Sequence, residues 1–398
     1  MPPKATVSSP ARVTRPRAAL LLTLGFALFW IAFGARLLPE ARSTDFLNLY
    51  TGASLALDGD WHHIYTQAGQ FAREQKFVPE RRHLWPFLRP PVYAIVMAPL
   101  ALMPFRMAFW FWISAQSAIL IGCWTWAWRR FGPEAAVWGA LFFAGPMGIA
   151  HGQDCALFLT LLCGAFVLGE KKRLFLCGLV LGLGLMKFHL FLLWPLVVLV
   201  QRRWRILAGF AICGLGQGLL SLAMVGWGGL RGYAEFILHI DRYYAPEGYL
   251  DINAILLDTG MSSRPLLIVL TTLVVGLVLW RSRRTGPLWM TFTLATAGSL
   301  LIGPHVYYYD GTMLLLPVWC VIFLSGFRIA RLAAATICTP ITYMTAVYGP
   351  PLACFLALAL LGFVLGVCLE SEHSASGRSP AGPRMRAGLG DPARCIQT

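Results

Sequence analysis

Charge is scarce in this chain. Only 13% of its 398 residues are Asp, Glu, Lys or Arg, and acids number just 18; soluble domains carry roughly a quarter charged residues. That deficit excludes an ordinary soluble enzyme. The ten cysteines contain no CxxC pair and no Cys/His ligand spacing, which excludes a zinc site and a disulfide framework. No G-x-G-x-x-G loop follows a strand, so no nucleotide site of that kind is indicated. No aromatic-basic motif of an RNA or DNA binder is present either. There is no repeat of 20–50 residues, and no polar stretch is long enough for a separate soluble domain.

What remains is apolar: 57% hydrophobic residues, in runs near the ~20 residues that span a bilayer as a helix. The fold class expected is an all-α polytopic membrane domain over 18–369. It is preceded by a basic segment, 1–17, and followed by a Gly/Pro/Ser/Arg-rich tail, 370–398, of the composition of disordered chain. The net charge of +15 is then a topology signal. Lys4, Arg12, Arg15 and Arg17 precede the first run, and later clusters at Arg129-Arg130, Lys171 to Arg173, Arg202 to Arg205, Arg281 to Arg284 and Arg328 with Arg331 share the cytoplasmic side on one condition. The stretch 90–105, broken by Pro90, Pro91, Pro99 and Pro104 and just below the ~17-residue limit for a span, must be re-entrant. About 12 spans result: 18–38, 106–128, 134–150, 153–169, 174–187, 188–200, 204–226, 264–280, 287–303, 309–326, 330–347 and 351–369. Both ends are then cytoplasmic, in the cell membrane, and the large loops 39–105 and 227–263 are external.

The remaining polar groups collect at that external face, and ionisable groups at membrane depth are costly and functional by default. "TDFLNLYTGASLAL" reads as an interfacial amphipathic helix, with Asp45 as a functional acid or, with Thr44, as its cap. Asp58 and Asp60 read as turn residues. Arg81, Arg82 and Arg89 either snorkel or grip a phosphate. Lys187 ends an apolar run, where it faces an anion or snorkels. Gln153 and Asp154 are capping groups or site residues, and Tyr308 belongs to an aromatic belt or to the site with His305.

The order of motifs, "TDF-x3-Y", "LDGDWHHIY", "RPPVYAIVMAPLALMP", "GQDCALFLTLL", "GLVLGLGLMKFHLFLLWPL" and "PHVYYYDGTMLLLP", resembles glycosyltransferase family 87 of the GT-C membrane superfamily over about residues 18–350. Arg89 stands where the family more often has the tyrosine of a "YPP" run. The resemblance implies a GT-C fold and polyprenyl-phosphate-mannose-dependent α-1,2-mannosyl transfer without a cofactor or metal. It implies that Asp45 is the catalytic base and that Lys187 and His305 are donor-side residues. Arg81, Arg82, Arg89, Gln153 and Tyr308 are further candidates for contact with donor phosphate or substrate. The partners expected are a polyprenyl-phosphate sugar, a glycolipid or glycan acceptor and membrane lipids, with no nucleic acid. A transporter or flippase of lipid-linked sugars is the alternative; the grouping of ionisable residues at one face instead of the midplane weighs against it.

Overall fold

The computed structural model describes residues 14–41, 45–239, 248–261, 263–284, 286–343 and 354–375. The expected basic N-terminus therefore lies almost wholly outside the described residues, as do Thr44 and the tail beyond 375. The described chain is all-helical and contains no strand. Its helices are α1 (Thr14–Ala41), α2 (Asp45–Leu57), α3 (Gln67–Phe77), α4 (Pro91–Ala101), α5 (Phe105–Phe131), α6 (Pro133–Leu141), α7 (Ala144–Ala150), α8 (Cys155–Glu170), α9 (Leu174–Leu183), α10 (Trp194–Val200), α11 (Trp204–Leu238), α12 (Ile252–Asp258), α13 (Arg264–Ser282), α14 (Leu288–Ile302), α15 (Leu315–Leu324), α16 (Arg328–Cys338) and α17 (Cys354–Ala375).

Five described helices are long and apolar enough to cross a membrane: residues Pro16–Arg36, Phe105–Phe131, Leu174–Phe191, Trp204–Leu238 and Arg264–Ser282. Several expected spans are broken. The stretch 134–150 divides into α6 and α7 at Phe142-Phe143, where Phe142 turns extended. The pair 174–187 and 188–200 becomes α9, a 3₁₀ turn over Gly184–Phe191 and α10, with the backbone non-helical at Lys187. The span expected over 204–226 ends at a real kink, Gly226 at φ 64°, but α11 continues beyond it into the stretch read as loop. The last helix runs to Ala375, past the expected start of the tail.

Glycine packing sets the bundle's polarity. Gly178 lies on Ile206, Gly209 on Phe175, and Gly182 on Phe210 and Cys213, so α9 and α11 run parallel; a methyl at Gly178 or Gly209 would overlap backbone of the facing helix. Small residues allow such backbone approach between membrane helices, where packing replaces the hydrophobic drive. The basic turns at 171–173 and 202–205 therefore fall at one end. Arg130 reaches Glu170 at 2.6 Å, and Arg203 reaches the Gly286 carbonyl at 3.4 Å, which brings the basic turns near 130 and 283 to that same end.

At the opposite end α2 is the central element. It is not the interfacial amphipathic helix expected from its sequence: every residue from Asp45 to Leu55 is buried. Its aromatic residues are covered from several sides, Phe46 by Phe105, Phe109 and Trp112, and Tyr50 by Phe77 and Phe105. The Tyr50 hydroxyl donates to the Met103 carbonyl at 2.7 Å, which ties α2 to the turn after α4. Gln70 of α3 clamps the extended strap before α4, donating to Ile64 O at 2.6 Å and accepting from Phe87 N at 2.7 Å. Asp58 and Asp60, read as turn residues, both pair with Arg73.

Candidate active site

The turn His151-Gly152-Gln153-Asp154 between α7 and α8 abuts the first turn of α2. Gly152 makes that approach possible: its φ is +72°, and a Cβ there would sit 2.7 Å from the Phe46 Cβ. The Trp112 indole donates to its carbonyl at 2.9 Å, which fixes the turn from α5. Gly152→Ala is expected to cost about 1–3 kcal/mol through the left-handed backbone and the overlap, read as a lower melting temperature of the detergent-solubilised protein.

The turn delivers Asp154 into a buried ion cluster. Asp154 precedes α8 but makes no capping bond. Its carboxylate accepts from Arg89 (Nη2 at 3.0 Å to either oxygen, Nε at 3.2 Å), from the Tyr93 hydroxyl at 2.9 Å and from Lys187 Nζ at 2.9 Å. The guanidinium of Arg89 and the ammonium of Lys187 supply the counter-charge that a buried carboxylate needs. Lys187 Nζ also meets Asp310 at 2.6 Å and Gln153 Oε1 at 3.3 Å. Asp310 uses its second oxygen to accept from the Tyr307 amide at 3.1 Å, which closes the 3₁₀ turn over Tyr308–Leu314. The break in helix at Lys187 thus places an ammonium among fixed acceptors; two positive and two negative side chains meet away from water.

Above the cluster lies a half-open cleft with a cavity volume of about 60 Å³. Asp45, Arg89, Gln153, Lys187 and His305 all line it, so the structure brings these five candidates together. Arg81, Arg82 and Tyr308 are not among its lining residues. Arg81 sits 3.6 Å from Glu74 and stacks over Trp85 at 5.5 Å. Arg82 is exposed. The Tyr308 hydroxyl is 3.2 Å from His151 Nε2. Pro86, Leu88, Phe188 and Ile237 form an apolar side of the cleft, and Tyr307 and Tyr309 present aromatic faces.

Asp45 begins α2, where the helix dipole favours an acid. Burial dominates its environment and pushes its pKa up to about 6, against the pull of His151, a hydrogen bond from the Gln153 side chain, and Lys187. His305 stands at φ 63° in a loop clipped to residues 248–251: Leu250 N donates to Val306 O at 2.7 Å, Tyr308 N to Gly248 O at 2.9 Å, and Val306 N to the Asp251 carboxylate at 3.2 Å. Its Nδ1 is 3.1 Å from the Tyr249 hydroxyl. Burial lowers the His305 pKa to about 3, so the ring is neutral and serves as a hydrogen-bonding group. Among the described residues no three His, Cys, Asp or Glu side chains gather as metal ligands.

The sequence profile of glycosyltransferase family 87 matches residues 87–304, more than half of the chain. The chain belongs to this family. No curated protein and no solved structure matches it. In this family-87 glycosyltransferase the matched stretch contains Arg89, Gln153, Asp154 and Lys187, while Asp45, His305 and Asp310 lie outside it. Of the cluster partners, Asp154 reads from the sequence as a capping group or site residue, while Asp310 and Tyr93 lie inside the family-like motifs without being named as candidates. A signal for the acids was present: two cations placed at depth demand counter-charges, and Asp154 and Asp310 are acids of the same predicted face.

Proposed function

We propose that the protein transfers a sugar, mannose in the reading implied by its family, from a polyprenyl-phosphate donor to a hydroxyl of a glycolipid or glycan, with Asp45 as general base. The observation that carries this reading is the buried Asp45 carboxyl beside Gln153, in a cleft that also holds Arg89, Lys187 and His305. A base works best with a pKa near the operating pH, and burial is a known way to raise a carboxylate toward it. Of the two acids lining the cleft, Asp310 is engaged with Lys187, which leaves Asp45 for the acceptor. One working carboxylate fits a single displacement with inversion of the anomeric centre.

The donor's phosphate is a good leaving group and requires charge stabilisation, not protonation. Arg89 commits Nε and Nη2 to Asp154 and Gln153, while its Nη1 has no bond among the described residues; this edge and the neutral His305 are the donors offered to the phosphate. Lys187, fully engaged, contributes charge and holds Asp154 and Asp310 in place. The apolar side formed by Pro86, Leu88, Phe188 and Ile237 meets the first isoprene units. In the membrane, the basic turns gathered at one end are cytoplasmic by the positive-inside rule, which puts the cleft at the external face of the cell membrane. With about 12 crossings, every basic turn is cytoplasmic if the Pro-broken α4 is a re-entrant helix and does not cross.

The test supplies membranes bearing the full chain with labelled polyprenyl-phosphate-mannose and a mannoside acceptor. A labelled glycan product with an inverted anomeric centre supports the reading. Movement of the lipid-linked sugar across vesicles without transfer overturns it. The base must be ionised to act, so kcat/KM is expected to fall tenfold per unit below an inflection near pH 6 and to be flat just above it; a rate constant down to pH 4.5 refutes the assignment.

A further inference from the structure

Asn48 lies one turn after Asp45 on α2, at the i, i+3 spacing that places two side chains on the same helix face. It is only 8% exposed and it lines the cleft. No hydrogen bond to its carboxamide is present among the described residues, and the amide atoms are not sealed off from the cleft. A buried amide engaged in structure looks different here: Gln70 spends its amide nitrogen and its oxygen on backbone groups at 2.6 and 2.7 Å. Asn is a poor helix former in a helix interior, and its amide keeps its hydrogen-bonding capacity open to the cleft. Nothing in the packing of α2 requires a carboxamide at this position; the residues beside it, Leu47 and Leu49, are apolar and buried. The group is therefore held ready for something that occupies the cleft.

Its location decides which substrate it meets. Arg89, Lys187 and His305 define the phosphate side, whereas Asn48 shares the helix with the proposed base. A primary amide donates and accepts at once, which complements a hydroxyl. We propose that Asn48 reads the acceptor by hydrogen-bonding the hydroxyl next to the one that Asp45 deprotonates, so that acceptors must be sugars with a free vicinal hydroxyl. This inference rests on the assignment of Asp45 as base.

The test uses the full chain in membranes, labelled polyprenyl-phosphate-mannose as donor, and two acceptors: octyl α-mannoside and its 3-deoxy analogue, which lacks the neighbour of the attacked 2-hydroxyl. Wild type is expected to favour the complete acceptor by about 10–100-fold in kcat/KM, because an unmade bond leaves the amide unpaired. Asn48→Ala and Asn48→Ser should lower kcat/KM for octyl mannoside by a similar factor and use the two acceptors within about threefold of each other. The donor KM should stay at the wild-type value, which also shows that the variants are folded. Retained discrimination in both variants, or a raised donor KM with acceptor KM unchanged, overturns the inference. A wild type that neither glycosylates nor binds octyl mannoside overturns it too. Asp45→Asn separates the two ideas: if it abolishes transfer while the Asn48 variants still discriminate, only the Asn48 role fails; if it transfers like wild type, the base assignment fails.

Discussion

Asp45→Asn is expected to lower kcat by about 10²–10⁴-fold, the usual contribution of a positioned general base, while leaving the protein folded. The second half of that expectation is as informative as the first. Burial is the largest influence on Asp45 and it disfavours the carboxylate, so exchanging the acid for a neutral group of equal size removes an unfavourable charge from the fold. The melting temperature should stay level or rise. A merely structural Asp45 predicts the reverse, a lower melting temperature with activity falling in proportion to the folded fraction. The residual rate of the variant should also lose the inflection near pH 6, because the titrating group is gone. Transfer assays over pH 4.5–8, run beside thermal unfolding, separate these outcomes; full activity in the folded variant sinks the assignment.

Asp154→Ala is expected to act in the opposite way, through stability. Arg89 and Lys187 converge on this one carboxylate, with Tyr93 adding a hydroxyl bond. Removing it leaves Asp310 as the acid paired with Lys187 and takes away the ion-pair partner of Arg89. Breaking a buried pair by deleting one member costs about 3–5 kcal/mol, since the other charge stays out of water. That is a large share of the 5–15 kcal/mol that ordinarily holds a domain together, so the yield of folded protein should collapse. Neutralising both sides should hurt less: Lys187→Met with Asp310→Asn is expected to be milder than the sum of the single changes. Strict additivity would show that the two side chains do not depend on each other.

Much of the fold was legible because membrane helices announce themselves by apolar length, and the basic turns assign their ends. The five long helices fall within or across expected spans. The broken ones were harder. The break at Phe142-Phe143 does have a mark within the apolar run: Pro146 can neither bond nor fit against the Phe142 carbonyl in a continuous helix, yet by apolar length the run reads as one span. Lys187 was legible as an anomaly, a cation in an apolar run, and the helix does break there. The amphipathic reading of α2 failed for a definite reason: Asp45 and Asn48 face a cleft, whereas Thr51, Ser54 and the apolar residues are buried in protein, so polar residues appeared on the helix without a membrane interface. Asp45, Arg89, Gln153, Lys187 and His305 were found as members of one face; that they share one cleft required the tertiary contacts of the Gly152 turn. Arg81 illustrates the converse, since a basic run beside a Pro-rich strap carried no mark distinguishing a residue that pairs with Glu74 from one that reaches the cleft.

The balance of the buried cluster has a consequence for how a donor is captured. Two cations matched by two carboxylates within hydrogen-bonding distance cancel beyond a few ångströms, and an ionised Asp45 adds a negative charge to the same cleft, so the cleft projects no net positive field into the surrounding medium. An anionic lipid is then not drawn in from afar by charge. Under the proposed reaction it arrives by lateral diffusion in the bilayer plane, guided by its isoprenoid tail, and its phosphate feels the arginine edge only on contact. Recognition is thereby short-ranged: anionic phospholipids in vast excess at the same surface gain no electrostatic advantage over the rare sugar carrier.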